Sequence, residues 1–270
     1  MKVTAYVPCY NARGTIRESI RSILDQTTPA AEIFVLDDGS TDGSGDVSKV
    51  RVIRSNSNLG RGATRARAMA EALHELVLGC DATLILARCF LEKALPWFSS
   101  DRLAGVFGRV NGGTALRVAD RWRERHLLHS SLKLAVRHRA SLATGCCLLR
   151  KSAAEKVGGF SVALRAGEDA DLGQRLLASG YDVIFDPQLV ATSILSNSVM
   201  EVLERYTRWN TLSKMSTRGY LRQINYALKV MAVKDLKAGD PLGACISLLT
   251  PHYQFWRGVA SEHPCPNADL

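Results

Sequence analysis

Two pairs of adjacent acids are the residues best suited to chemistry. Asp37 and Asp38 end the apolar run Ile33–Leu36 and are followed by Gly39-Ser40. A carboxylate accepts hydrogen bonds from sugar hydroxyls and ring N–H groups, and open α/β sheets bind ligands at the carboxyl ends of their strands. The plainer alternative is an Asx turn closing a strand. Glu168 and Asp169 open a predicted helix over 169–179. There a carboxylate caps free backbone N–H groups or takes a proton from a hydroxyl, and both can hold at once. Tyr10 supplies a ring able to stack on a base.

The elements that must position these groups follow from apolar spacing. Val3, Ala5 and Val7 form a short run ending at Pro8, and Ile16, Ile20, Ile23 and Leu24 recur at helical spacing. Ile33–Leu36, Val50–Arg54, Thr83–Ala87, Ala104–Val110 and Val183–Phe185 read as further strands, the last before an Asp186-Pro187 turn. Helices are predicted over Gly62–Leu78, Ala94–Phe98 and the basic stretch Leu116–Leu134. The alternation predicts an α/β fold. A dinucleotide-binding Rossmann loop is excluded, because Gly60-Arg61-Gly62 lacks the third glycine and follows the third strand, not the first.

The wording of these segments resembles the family-2 glycosyltransferases. Pro8, Tyr10 and Asn11 match P-x-Y-N; Ser22-Ile23-Leu24-Asp25-Gln26-Thr27 matches S-I-L-x-Q-T; Val35–Ser44 matches V-x-D-D-G-S-x-D-G-S. Asn58-Leu59-Gly60 with Arg65 is similar to N-x-G-x-x-x-A-R. Ala143-Thr144-Gly145, Val157-Gly158-Gly159-Phe160 and Gly167-Glu168-Asp169-Ala170-Asp171-Leu172 follow in the family's order. The resemblance covers residues 3–195. It implies a GT-A-like fold, a mixed, mostly parallel sheet flanked by helices, with a nucleotide-binding half (1–95), an acceptor half (96–195) and a helical C-terminal extension (196–270). It implies an enzyme that moves a sugar, with inversion, from a nucleoside-diphosphate sugar, the UDP type favoured, to a glycan or lipid-linked hydroxyl in cell-envelope polysaccharide synthesis. The donor would be held by Pro8, Tyr10, Asn11, Asp37, Asp38, Gly60, Arg65 and Arg88. Asp169, with Glu168, would be the base, and Thr144 and Gly145 would face the acceptor.

Arg205-Tyr206-Thr207-Arg208-Trp209 faintly resembles the Q-x-x-R-W element of processive synthases, with Arg205 in place of Gln. Arg208 and Trp209 are acceptor-side candidates on that ground; a basic amphipathic helix with a buried Trp is the plainer reading. His126 and His129 are spaced H-x-x-H but join no cluster of metal-ligating residues.

The chain departs from the family at its metal site. A D-x-D triad is expected after the fourth strand, where Leu84–Leu91 carries no carboxylate, and the His expected after Asp186-Pro187 is Ser193. Mg²⁺ bound to phosphate takes one or two carboxylates, so no metal ligand is assigned: Mg or Mn stays open as a cofactor with its expected ligands missing, and transfer is expected to be metal-independent or weakly metal-dependent. Either cations such as Arg88 replace the ion, or catalysis is lost and the fold serves as a binding or scaffolding module.

Composition fits this picture. A chain of 270 residues, 46% apolar and 23% charged, can bury a large core. Seven cysteines without a C-x-x-C pair read as reduced thiols, and Met1-Lys2 leads directly into the first strand without a secretory signal, so a cytoplasmic setting is expected. The net charge of +9 is uneven: residues 1–95 carry +1 and residues 96–270 carry +8. That asymmetry suggests an anionic acceptor, a membrane surface at its inner face, or a solvated basic side. No nucleic-acid-binding motif accompanies it. Pro241–Ala260 is the most apolar stretch, interrupted by Pro251, His252 and Arg257, and reads as a tail helix able to lie on a membrane, not to span it.

Overall fold

The opening apolar run forms β1 (Val3–Cys9), buried at every residue but Pro8. In the computed structural model, which describes residues 1–113, 117–128, 135–210 and 216–260, this strand is central to the sheet. It pairs in parallel with β2 (Glu32–Asp37) after α1 (Ile16–Leu24), and β2 pairs with β3 (Arg51–Arg54). On its other side it pairs in parallel with β4 (Leu76–Cys80), reached through α2 (Arg61–Glu71). The chain then continues through β5 (Leu84–Leu86), α3 (Phe90–Ala94), β6 (Leu103–Asn111), α4 (Val118–His126), β7 (Cys146–Arg150), α5 (Lys151–Lys156), α6 (Glu168–Ala178) and β8 (Asp182–Ser193). The eight strands are ordered β3-β2-β1-β4-β7-β6-β8-β5, with β7 and β5 antiparallel to their neighbours. This is the α/β architecture expected, a mixed, mostly parallel sheet flanked by helices.

Alternating side chains give the central strands two buried faces. Ala5, Val7, Val35 and Leu78 meet Ile16, Ile20 and Ile23 of α1 on one face. Tyr6, Phe34, Leu36 and Val77 meet Ala68 and Met69 of α2, with Leu172 and Leu176 of α6, on the other.

Three expectations are corrected. The helix predicted to reach Leu78 ends at Glu71, and Leu76–Cys80 is β4, fully buried; a short apolar run reads alike in a helix and in a two-faced strand. The stretch around Leu84–Leu86 is therefore β5, a short edge strand, and not the fourth. Finally, β8 does not stop at the Asp186-Pro187 turn but runs to Ser193. A register shift opposite Phe107–Arg109 accommodates Pro187, which cannot donate to a ladder. Gly108 lies at that irregularity, where a Cβ would stand 2.0 Å from the Leu189 carbonyl oxygen.

The chain forms two compact units. The first, Met1–Gly113 with Leu132–Leu195, contains the sheet. The second, Thr114–Ser131 with Ser196–Leu270, joins α4 to α7 (Val199–Asn210), α8 (Thr217–Tyr226), a π-turn (Ala227–Met231), α9 (Ala232–Lys237) and α10 (Pro241–Ala260). Thus α4, read as part of the acceptor half, packs with the C-terminal helices. It is shorter than the predicted 116–134, whose last residues, with His129, lie outside the described residues.

Trp122, Leu127, Val202, Leu203, Tyr206, Met231 and Ile246 form the second unit's core. Buried Asp235 accepts from Arg125 Nε at 2.7 Å, His126 Nε2 at 2.8 Å and Ser247 Oγ at 2.5 Å. His126 is thus committed to a carboxylate. Asp240 accepts from Arg121 Nε at 3.2 Å and also from Arg125. Burial pushes Asp240 up, but Arg121 and Arg125 outweigh it and hold it at about 2. A depressed carboxylate stabilises the fold above its unfolded value, and that contribution disappears as pH falls through the folded one. The urea midpoint is therefore expected to fall between about pH 4 and pH 2. In Asp240→Asn that component of the slope should be absent.

Candidate active site

Loops after β1, β2, β3 and β4 meet at the carboxyl edge of the parallel strands, and their polar side chains are mostly spent on one another. Asp37 Oδ1 accepts from the Ser40 amide at 3.0 Å, and Asp37 Oδ2 is 3.5 Å from Arg54 Nε. Asp38 accepts from the amides of Leu59 and Gly60, each at 2.9 Å. The Asn11 amide donates to Ser40 Oγ at 3.0 Å, and Asn11 Oδ1 accepts from the Thr41 amide at 3.0 Å. The Arg13 amide donates to Asp42 Oδ2 at 2.9 Å. Two glycines are required here. Gly39 has φ +78° and a Cβ on it would stand 2.7 Å from the Ser57 carbonyl carbon; Gly60 has φ +92° beneath Arg165. The acids thus fix the loops, while Tyr10, 44% exposed, is free to meet a ligand.

Arg65 lies beneath this surface. Only 2% exposed, it projects from α2 and donates to four elements. Its Nε meets Glu168 Oε1 at 3.1 Å, its Nη2 meets Asp81 Oδ1 at 2.9 Å, and its Nη1 meets Tyr6 Oη at 3.2 Å and the Thr144 carbonyl at 3.4 Å. Burial works against its charge, yet Tyr6, Asp81 and Glu168 outweigh burial and raise its proton affinity above that of an ordinary arginine. Burial likewise raises the Tyr6 phenol against the opposing pull of Arg65. Gly79 of β4 leaves room for this ring, since a Cβ there would stand 2.9 Å from Tyr6 Oη. The donors of Arg65, expected to reach diphosphate, are engaged by protein groups.

Glu168 and Asp169 begin α6 directly above Arg65. Glu168 is buried; its Oε2 and the Thr144 Oγ1 have no hydrogen-bond partner among the described residues. Asp169 is half-buried, and among the described residues its side chain hydrogen-bonds only to the next amide, Ala170, through Oδ1 at 2.9 Å. Gly145 brings the chain close to Asp81: the Asp81 amide donates to its carbonyl at 2.8 Å, and a Cβ would stand 3.3 Å from Asp81 Oδ2. Asp169, Thr144 and Gly145 therefore gather around the Arg65 network, at the edge that carries Asp37 and Tyr10.

Two residues are placed differently from expectation. Because β4 ends at Cys80, the D-x-D position is Asp81-Ala82-Thr83: the first carboxylate is present and the second is Thr. Asp81 falls outside the window expected for the triad because the strand before it reads as helix; its place just after the apolar run Leu76–Cys80 is the signal that locates it. Arg88 is not brought to this edge. Its carbonyl accepts from the Thr27 amide at 2.9 Å, beyond the end of α1, where Gln26 also bridges to the Ala87 carbonyl and the Leu91 amide. The chain runs from Leu84 to Arg88 antiparallel to β8, away from the edge at which Asp81 stands.

A resident metal does not fit these residues. One oxygen of Asp81 is on Arg65, Thr83 and Ser193 replace the other expected ligands, and the described residues contain no group of three His, Cys, Asp or Glu able to hold an ion. In the second unit, Arg208 and Trp209 are exposed on α7, and Trp209 lines a cavity of about 360 Å³ with Arg125, His126, Tyr206, Tyr226 and Lys234.

A buried charge that loses its partner is costly. Arg65→Ala, which leaves the buried Glu168 without its cationic partner, is expected to lower stability by about 3–5 kcal/mol in chemical denaturation. The Arg65→Met, Glu168→Leu double variant should recover a large part of that loss.

The fold, and parts of the sequence, are similar to those of known proteins. The fold matches a mannosyltransferase of Pyrobaculum calidifontis in complex with GDP-Man and Mn²⁺, with a TM-score of 0.58 and 18% identity over 99% of this chain and 76% of that one. It also matches Staphylococcus aureus TarS in complex with UDP, with a TM-score of 0.57 and 15% identity over 100% of this chain and 94% of that one. In sequence, the chain is 27% identical over 200 residues to the pre-mycofactocin glycosyltransferase of Mycobacterium tuberculosis, 68% of this chain but 41% of the relative. It is 25% identical over 222 residues to the O-antigen chain rhamnosyltransferase of Salmonella typhimurium, 76% of this chain and 70% of the relative. The chain thus spans about two fifths of the first of these relatives. The family model for glycosyl transferase family 2 matches residues 4–158 of the 270, and the chain belongs to that family.

Proposed function

We propose that the protein transfers a sugar, with inversion, from a nucleoside-diphosphate sugar to a hydroxyl of a glycan or lipid-linked acceptor. The carrying observation is Asp169: a carboxylate without a charged partner in contact, half-exposed at the start of α6, on a floor fixed by Arg65 and Glu168. Asp169 takes the proton of the acceptor hydroxyl as its oxygen bonds to the anomeric carbon. The bond from that carbon to the diphosphate oxygen breaks on the opposite face, and the nucleoside diphosphate leaves with the electron pair.

Pro8, Tyr10, Asn11, Asp37, Asp38 and Gly60 form the donor side. Tyr10 stacks on the base, and the braced acids hold the loop that receives the nucleoside. Arg65 acts from beneath as a positioning residue. With no group of three metal-ligating side chains among the described residues, fixed cations meet the diphosphate charge. Arg165 is the exposed candidate: it crosses Gly60 and donates to Asn58 Oδ1 at 2.5 Å. Thr144 Oγ1 and Glu168 Oε2, buried and without a hydrogen-bond partner among the described residues, lie beneath Asp169 on what we read as the acceptor side. A UDP-bound neighbour supports the donor class, and an O-antigen transferase among the relatives supports a cell-envelope acceptor.

A second reading, a silent binding module, is favoured by Thr83 in place of the second D-x-D carboxylate. Release of nucleoside diphosphate from a panel of UDP- and GDP-sugars, with glycan and lipid-linked acceptors, separates the two. Wild type should release product, and Asp169→Asn should be about 10²–10⁴-fold slower with donor affinity unchanged. A wild type that binds donor but releases nothing from any pair would establish the silent module instead.

A further inference from the structure

The last helix exposes large apolar side chains on its outer side. On α10, the side turned toward the second unit's core carries Ile246 and Pro251 together with Ser247, Thr250 and Gln254, each buried, and the small residues Gly243 and Ala244. Its outer side carries Leu242, Cys245, Leu248, Leu249 and Trp256, the last 67% exposed. A helix facing water has the reverse distribution.

The preceding helix continues this pattern. From α8 through the π-turn into α9, Ala227, Met231, Ala232 and Asp235 face inward. Leu221, Leu228, Val233 and Leu236 recur outward at helical spacing, with one extra residue taken up by the π-turn. No residue of α8 is buried.

The exposed charges on these helices have one sign. Arg218, Arg222, Lys229 and Lys237 are exposed. The acids of the described segment 216–260 are Asp235 and Asp240, both buried and bonded to Arg125, with His126 or Arg121 as a second partner. Exposed leucines and a tryptophan among exposed lysines and arginines, without an exposed acid, form the composition of a surface that enters an anionic bilayer interface. Tyr226 and Trp256, both exposed, are of the type that settles at headgroup depth. No described helix is long and apolar enough to cross a membrane, which leaves these helices to lie in its plane.

We infer that the outer faces of α8, α9 and α10 dock on an anionic lipid bilayer. Solvent-exposed apolar patches of this extent otherwise mark contact with a second protein, but a second copy of the chain would oppose like charges across the contact, whereas anionic headgroups neutralise them.

Flotation of the full chain with phosphatidylcholine vesicles, with and without phosphatidylglycerol, tests this. Neither donor nor acceptor is present, so the result is independent of sugar transfer. Wild type should float with phosphatidylglycerol vesicles, bind pure phosphatidylcholine at least several-fold more weakly, and dissociate as salt is raised. Arg222→Gln with Lys229→Gln should weaken binding roughly tenfold or more. Leu249→Ser with Trp256→Ser should weaken it at every salt concentration, with circular dichroism and melting temperature unchanged. Absence of wild-type binding to phosphatidylglycerol vesicles, or binding that neither variant alters, would overturn the inference. So would a dimer in solution that Leu249→Ser with Trp256→Ser splits into monomers, because a second copy would then cover the face.

Discussion

One buried guanidinium holds the site together. Arg65 joins β1 through Tyr6, the end of β4 through Asp81, the segment before β7 through Thr144 and the start of α6 through Glu168. These elements are far apart in sequence and converge because all of them can be satisfied only at one point. A buried cation without such partners would be expelled or would unfold its surroundings, so the network permits little variation in where α6 begins. The placement of Asp169 is a consequence of that constraint. Gly79 and Gly145 serve the same end by letting Tyr6 and Asp81 approach the guanidinium.

The loops above follow a related principle. Asp37, Asp38, Asn11 and Asp42 use their oxygens on backbone amides of their own or neighbouring loops, so the surface proposed to meet a nucleotide is fixed before any ligand arrives. Ordering flexible loops on binding subtracts from affinity. A braced edge avoids that loss, and it leaves the exposed Tyr10 ring as the group that contacts the base in our account.

The sequence made the parallel strands and the acidic edge legible, because apolar runs ending in Asp-Asp-Gly or opening on Pro-x-Tyr-Asn have local signatures. It did not reveal β4. Leu76–Cys80 is apolar at every position but Gly79, and a strand buried on both faces lacks the alternation that distinguishes strand from helix. That single ambiguity shifted the fourth strand and concealed Asp81. Arg88 was drawn in for the same reason, and the pairing of β5 with β8 shows it running away from the edge. Arg65 was recognised as a site residue, but no local pattern tells whether a helical arginine points outward to phosphate or inward to Glu168; the partner is 103 positions away. The grouping of α4 with the C-terminal helices was equally unreadable, since it rests on long-range pairs such as Arg125 with Asp235 and Asp240.

The most direct test of the account is calorimetric titration of the protein with UDP, GDP and their sugar conjugates, once with Mn²⁺ and once with EDTA. Protein cations and braced loops, without a metal cage, predict that at least one nucleoside diphosphate binds and that binding survives EDTA. Binding seen only with Mn²⁺ would contradict the assignment of the diphosphate charge to fixed cations, and absence of binding in both conditions would contradict the donor site itself.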